Sequence, residues 1–132
     1  MLENRHVVSV NIYDPGQDAR VNLLRVPDRH TYTVEKVYAV TERAISASTA
    51  NYVEINLENG GADGTAQTVI GGTAGGTPGW VAQTPQELTI TAGSGDLTAG
   101  QWLVANYAET GTVAPGVITI SVELVDGIGS KA

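Results

Sequence analysis

Residues 97–125 read Leu-Thr-Ala-Gly-Gln-Trp-Leu-Val-Ala-Asn-Tyr-Ala-Glu-Thr-Gly-Thr-Val-Ala-Pro-Gly-Val-Ile-Thr-Ile-Ser-Val-Glu-Leu-Val, and their pattern decides the fold class. Ile118, Ile120, Val122 and Leu124 fall on one face of an extended segment, with Thr119, Ser121 and Glu123 on the other. Period-two alternation of this kind predicts a half-buried β-strand. From Trp102 to Tyr107 both faces are apolar, which predicts a strand in the middle of a sheet. Between them, Gly111 and Gly116 suit positive φ and Pro115 presets a turn. The simplest expectation is an antiparallel pair joined by a loop, its apolar face covered by the rest of the chain.

Working outward, Val8, Val10 and Ile12 alternate with Ser9 and Asn11 as a first strand. Asp14-Pro15-Gly16 is a turn signal. Val21 to Val26 is a second strand whose apolar phase slips between Leu23 and Leu24. Tyr32 and Val34 open a third strand. Lys36 breaks its face unless a bulge near Glu35 moves the inward positions to Val37 and Ala39. Ala44 to Ala50 reads as loop or edge, and Val53, Ile55 and Leu57 as the inward face of another strand. Residues 59–64 form a long turn, and Gln67 to Ile70 a short strand. The glycine-rich stretch from Gly71 to Gly79 is too permissive for a regular element. Trp80 to Ala82 and Leu88 to Thr91 are short extended segments, and Gly93 to Gly100 is a loop. The expectation is a single all-β domain, an antiparallel β-sandwich or jelly roll of about eight short strands. It spans residues 7–126, with a possible arm at 1–6 and a flexible tail at 127–132. No internal repeat is visible.

The 16 glycines and the many β-branched residues argue against helix. There is no cysteine, hence no disulfide framework and no thiolate zinc site. No apolar run approaches the roughly 20 residues of a membrane helix, and the start lacks the basic and apolar regions of a secretory signal. Fourteen acids against seven Lys and Arg give a formal charge of −7, which disfavours a nucleic-acid partner. Five of those seven bases, Arg5, Arg20, Arg25, Arg29 and Lys36, precede residue 37.

Chemistry-bearing residues are sparse. Asp14, Asp18 and Asp63 sit at turns, where Asp commonly bonds its own backbone, and no calcium-loop spacing is present. His6 and His30 lie in no nucleophile motif. The glycines of residues 71–79 lack the Lys-Ser/Thr and the helix of a phosphate loop. Trp102 reads as core. Trp80 reads either as core or as an exposed anchor for a partner or a sugar. No catalytic residue, metal or cofactor is expected, and Leu2, Arg5, His6 and Trp80 are the candidate interface residues.

Two stretches carry a resemblance. One is Leu97-Thr-Ala-Gly-Gln-Trp-Leu-Val, then Thr110-Gly-Thr and Pro115-Gly-Val-Ile-Thr-Ile-Ser-Val. The other is residues 34–57, with Val-Glu-Lys-Val-Tyr-Ala-Val-Thr-Glu-Arg-Ala followed by Ala-Asn-Tyr-Val-Glu-Ile-Asn-Leu. In these the chain resembles the small capsid decoration, or cement, proteins of tailed bacteriophages. The resemblance implies a structural virion protein and no enzyme: a sandwich on the capsid exterior that binds the major capsid protein and stabilises the shell as a homotrimer. A carbohydrate- or receptor-binding module of a phage fibre or tail tip is the alternative, and a hydrolase on a jelly roll a further one.

Overall fold

In the computed structural model, which describes residues 5–13, 16–73 and 79–127, the alternation at 118–124 is realised as read. Ile118, Ile120, Val122 and Leu124 are fully buried on the inward face of a strand. Among the described residues ten strands follow one another: β1 (Arg5–Tyr13), β2 (Ala19–Arg25), β3 (Thr31–Thr41), β4 (Tyr52–Asn59), β5 (Thr68–Gly72), β6 (Gln86–Glu87), β7 (Thr89–Ile90), β8 (Asp96–Thr98), β9 (Trp102–Thr110) and β10 (Val117–Asp126). There is no helix among the described residues.

The strands form two sheets in which every pairing is antiparallel. The first runs β1-β10-β3-β6, with β8 also on β3; the second runs β2-β9-β4-β5-β7. The pairs are nested: β1 with β10, β2 with β9, β3 with β8. This is the roll-up of a jelly-roll sandwich. The core lies between the sheets. Val34, Val37 and Ala39 of β3 and the four inward residues of β10 face Val53, Ile55 and Leu57 of β4 and Leu103, Ala105 and Tyr107 of β9.

Both irregularities legible in the sequence are present. On β3 the register against β10 shifts so that Glu123 faces Lys36 and Leu124 faces Val34, leaving Glu35 as the bulged residue. On β2 the shift lies between Asn22 and Leu24, with Leu23 the extra residue. Each bulge lets an out-of-phase apolar residue turn inward.

The expected β9–β10 pair is not formed. β9 lies between β2 and β4, and β10 between β1 and β3, so the loop between them crosses from one sheet to the other. Each strand buries its apolar side chains against the facing sheet. A loop of this length serves a hairpin or a crossing equally well, so its residues do not distinguish the two. Gly111 and Gly116 adopt φ of 71° and 70°. At Gly111 a side chain would also run into Ala50 O, and at Gly116 into the Glu42 carboxylate that accepts the Val117 N–H.

Other expectations need correcting. The stretch 93–100 contains β8, whose Leu97 is fully buried. Gln86–Glu87 pairs with β3 and Thr89–Ile90 with β5, so buried Leu88 sits where the chain steps between sheets. Beyond Trp80 the chain turns at Ala82–Gln83 instead of continuing extended, with Gln83 at φ 55°. Gly127 donates to Thr31 O at 2.7 Å and so belongs to the folded body. Residues 128–132 of the expected tail, Asp14-Pro15 of the expected turn and residues 74–78 of the glycine-rich loop lie outside the described residues.

Candidate functional site

The inward phase of three neighbouring strands of the first sheet continues past the apolar core into polar residues. On β10 the position after Leu124 is Asp126; on β1 the position before Val8 is His6; on β3 the position before Val34 is Tyr32. His6 pairs with Leu124, and Tyr32 with Asp126. Just ahead of β3, the turn Pro27-Asp28-Arg29 is closed by His30 N–H donating to Pro27 O at 3.1 Å, with Arg29 at φ 69°. This turn brings His30 back over the strand ends.

Both histidines of the chain therefore meet one carboxylate. The Asp126 side chain is 7% exposed; its Oδ2 lies 2.7 Å from His30 Nδ1 and 3.9 Å from His6 Nε2. A carboxylate only accepts, so Nδ1 of His30 is the donor in this contact. The Tyr32 ring packs against both imidazoles, with centroids 5.8 Å from His6 and 6.1 Å from His30. Burial first, and the Asp126 charge second, push the Tyr32 phenol above its usual 10.0. The folded state thus favours the neutral phenol. Its contribution to stability is present below the unfolded value and is lost as pH rises through the folded one. Thermal unfolding of the wild type should fall off more steeply than that of Tyr32→Phe above about pH 10. Superimposable melting profiles of the two proteins across that range would contradict this.

Beside the cluster, Arg5 Nη1 contacts Glu35 Oε1 of the β3 bulge at 2.9 Å. One part of the outer face of the first sheet is of another character. From Val7 to Tyr13 on β1, Val117 to Ser121 on β10 and Tyr38 to Val40 on β3, the outward side chains carry no formal charge. Ser9 Oγ bonds Ser121 Oγ at 3.2 Å, and Thr119 Oγ1 donates to Asn11 Oδ1 at 2.9 Å. Val7 and Tyr13 are 66% and 72% exposed.

Of the candidate interface residues, Arg5 and His6 belong to β1 and are tied into the sheet, which corrects the expected arm at these two positions. Leu2 lies outside the described residues. Trp80 is 2% exposed and exchanges backbone hydrogen bonds of 2.7 and 2.9 Å with Ile45, so its ring plugs the core and offers no surface. Trp102, read as core, is instead half-buried: its register puts it on the outer face of the second sheet, with Leu103 turned inward. Trp80 thus takes the core one of its two readings, whereas Trp102 departs from its core reading.

Val104, outward like Trp102, is fully buried because the 60–66 turn folds back over it; a side chain at Gly60 would lie 2.8 Å from Val104 Cγ2. Arg20 holds this turn down. Its Nη1 and Nη2 donate to Gly64 O and Ala66 O at 3.1 and 2.9 Å, and its Nε and Nη2 to Glu58 Oε1 at 3.3 and 2.8 Å. Asn106 Nδ2 donates to Glu58 Oε2 at 2.9 Å. The double apolar face of β9 is thus covered in part by the chain itself.

The turn aspartates bond backbone. Asp18 accepts from Glu109 N–H at 3.0 Å; Asp63 accepts from Thr65 N–H and Oγ1, which hold its carboxyl below the usual range. Among the described residues no three His, Asp or Glu side chains are disposed to hold a metal ion, and no helix is long and apolar enough to cross a membrane. The open depression of about 390 Å³ lined by Ile45, Ser46, Ser48, Asn51, Thr112 and Val113 carries no charged residue or ring. No protein-family model and no curated protein matches the chain.

Proposed function

We propose that this chain is a non-enzymatic structural protein of a phage virion that binds the outside of the capsid and stabilises the shell. The supporting observation is the uncharged half of the first sheet's outer face. A chain of formal charge −7 gathers Val7, Ser9, Asn11, Tyr13, Tyr38, Val40, Thr119 and Ser121 on one broad, pleated surface. Depletion of charge with exposed aromatic and aliphatic groups marks protein-binding surfaces. Contact across such a face adds free energy that must be lost before the shell opens, so binding favours the assembled state by mass action.

The test is co-sedimentation with empty capsids of the virus that encodes the protein. Val40→Asp, within the uncharged region, should reduce capsid binding at least tenfold while leaving the melting temperature nearly unchanged, since Val40 faces outward. Wild-type protein that stays in the supernatant at all concentrations overturns the proposal. The carbohydrate-binding alternative loses the ring on which it relied, because Trp80 is in the core. One observation favours a hydrolytic reading. The His30–Asp126 pair has the geometry of a general base and its orienting carboxylate. Turnover of an ester or glycoside panel that vanishes in His30→Ala would turn the assignment to an enzyme.

A further inference from the structure

The sandwich has four edges, and three of them are guarded. β2 carries a bulge and two arginines, Arg20 and Arg25. On the opposite side, β6 and β7 have two residues each and β8 has three. Bulges, charges and very short strands are the devices by which edge strands avoid pairing with other chains. β1 has no bulge and is not short, and its one formal charge, Arg5, stands at its first position. It is nine residues long, pairs through all nine with β10 without a register shift, and from Val7 to Tyr13 reads Val-Val-Ser-Val-Asn-Ile-Tyr, with no charge, Gly or Pro. Such a segment has the β-propensity and low charge of sequences that add strands readily. Among the described residues, β10 is the only strand beside it.

The core is also thin below this edge. Val8 and Val10 of β1, and Val21, Leu23 and Leu24 of β2, pack against the core yet remain only half-buried. A long open edge and an incompletely closed apolar seam thus coincide on one side of the molecule.

We infer that this side is a contact between two copies of the chain, in which β1 of one copy pairs antiparallel with β1 of the other about a two-fold axis through Ser9. Antiparallel pairing of a strand with its own copy about an axis normal to the sheet keeps outward residues on the outward face. Centring on Ser9 gives overlap of the entire strand, from Arg5 to Tyr13. That register sets Val7 opposite Asn11 and Arg5 opposite Tyr13, a cation beside an aromatic ring. No like charges face each other along the strand, which matters for two bodies of formal charge −7 each. The two first sheets become one continuous sheet, and the seam beneath β1 is covered. The contact is isologous and closes at two copies. It is not the three-fold closure that the resemblance implies, and it does not depend on capsid binding.

Light scattering of the purified full chain at micromolar concentration, without capsids, should give the mass of two chains. Ser9→Lys places two ammonium groups at the axis and should give the mass of one chain with an unchanged circular dichroism spectrum. The absence of native cysteine allows a second measurement that does not depend on the lysine variant folding. Directly opposed residues have Cβ atoms about 4.5–5.5 Å apart, close to disulfide geometry. Ser9→Cys should therefore form a disulfide-linked dimer under diamide. Val7→Cys should not, because its copies lie four residues apart along the paired strands. A one-chain mass for the wild type, a three-chain mass, or equal cross-linking of the two cysteine variants would overturn the inference.

Discussion

Ile120→Asp should yield no soluble folded protein. Ile120 is fully buried at the middle of β10, the strand that holds β1 on one side and β3 on the other, with Val10 and Ala39 as its lateral neighbours. Among the core residues around it there is no cation to pair with a carboxylate. Burying an unpaired charge, or the neutral acid without a partner, costs several kcal/mol, against the roughly 5–15 kcal/mol that stabilises a domain. The same change one residue away meets a different environment. Thr119 faces outward beside Asn11 and Val40, so Thr119→Asp loses one exposed hydrogen bond and should lower stability by about 1 kcal/mol. Expression and circular dichroism of the two variants provide the comparison. Equal yields and equal melting temperatures would mean that the inward face of β10 is wrongly assigned.

Arg20→Ala should destabilise the protein by about 3 kcal/mol, an unusually large effect for a residue on an edge strand. The Glu58 side chain is only 3% exposed, and Arg20 supplies its charge partner. Removing one member of a buried pair typically costs about 3–5 kcal/mol because the remaining charge is left uncompensated. The low end applies here, since Asn106 still donates to Oε2. The carbonyls of Gly64 and Ala66 lose a donor as well, so the turn over Val104 should loosen. In the Arg20→Ala background, Glu58→Gln should recover much of the loss, because a neutral amide is cheaper to leave without a cation. Urea unfolding of the two variants measures both effects. A single variant within about 0.5 kcal/mol of the wild type, the range of ordinary surface changes, would show that the ion pair contributes nothing.

What the sequence revealed and what it concealed have physical reasons. The inward faces of β4 and β10 were legible because one side of each meets the core and the other meets water, which writes the pleat into the residues. The bulges at Leu23 and Glu35 were legible for the same reason, as breaks in phase. Partner choice was not. β9 and β10 carry no residue that distinguishes a hairpin from a crossing, and strands of two or three residues such as β6, β7 and β8 are too short to show a period. The burial of the tryptophans was not legible from the hydrophobicity of their neighbours. Trp102 lies in an apolar run but on the outward phase, whereas Trp80 follows glycines yet is fixed by Ile45. The cluster around Asp126 joins positions as far apart as residues 6 and 126, and its trace in the sequence is phase alone: Asp126, His6 and Tyr32 each extend an inward series by one step.

Nested pairing also determines the order in which the molecule can be made. The strand flanked by β1 and β3 is the last of the ten, so the first sheet lacks its middle until residues 117–126 are available. During synthesis β1 must wait for about 100 later residues, and β3 for about 75, before their shared neighbour appears, with loop-closure entropy lost before those contacts form. Topologies dominated by such distant pairings fold on the scale of milliseconds to seconds. Chains ending before Val117 would retain every turn and nine of the ten strands, yet expose the inward faces of β1 and β3 without a strand to join them. The last strand thus acts as the closing step of folding, and incomplete chains are left to aggregation or proteolysis.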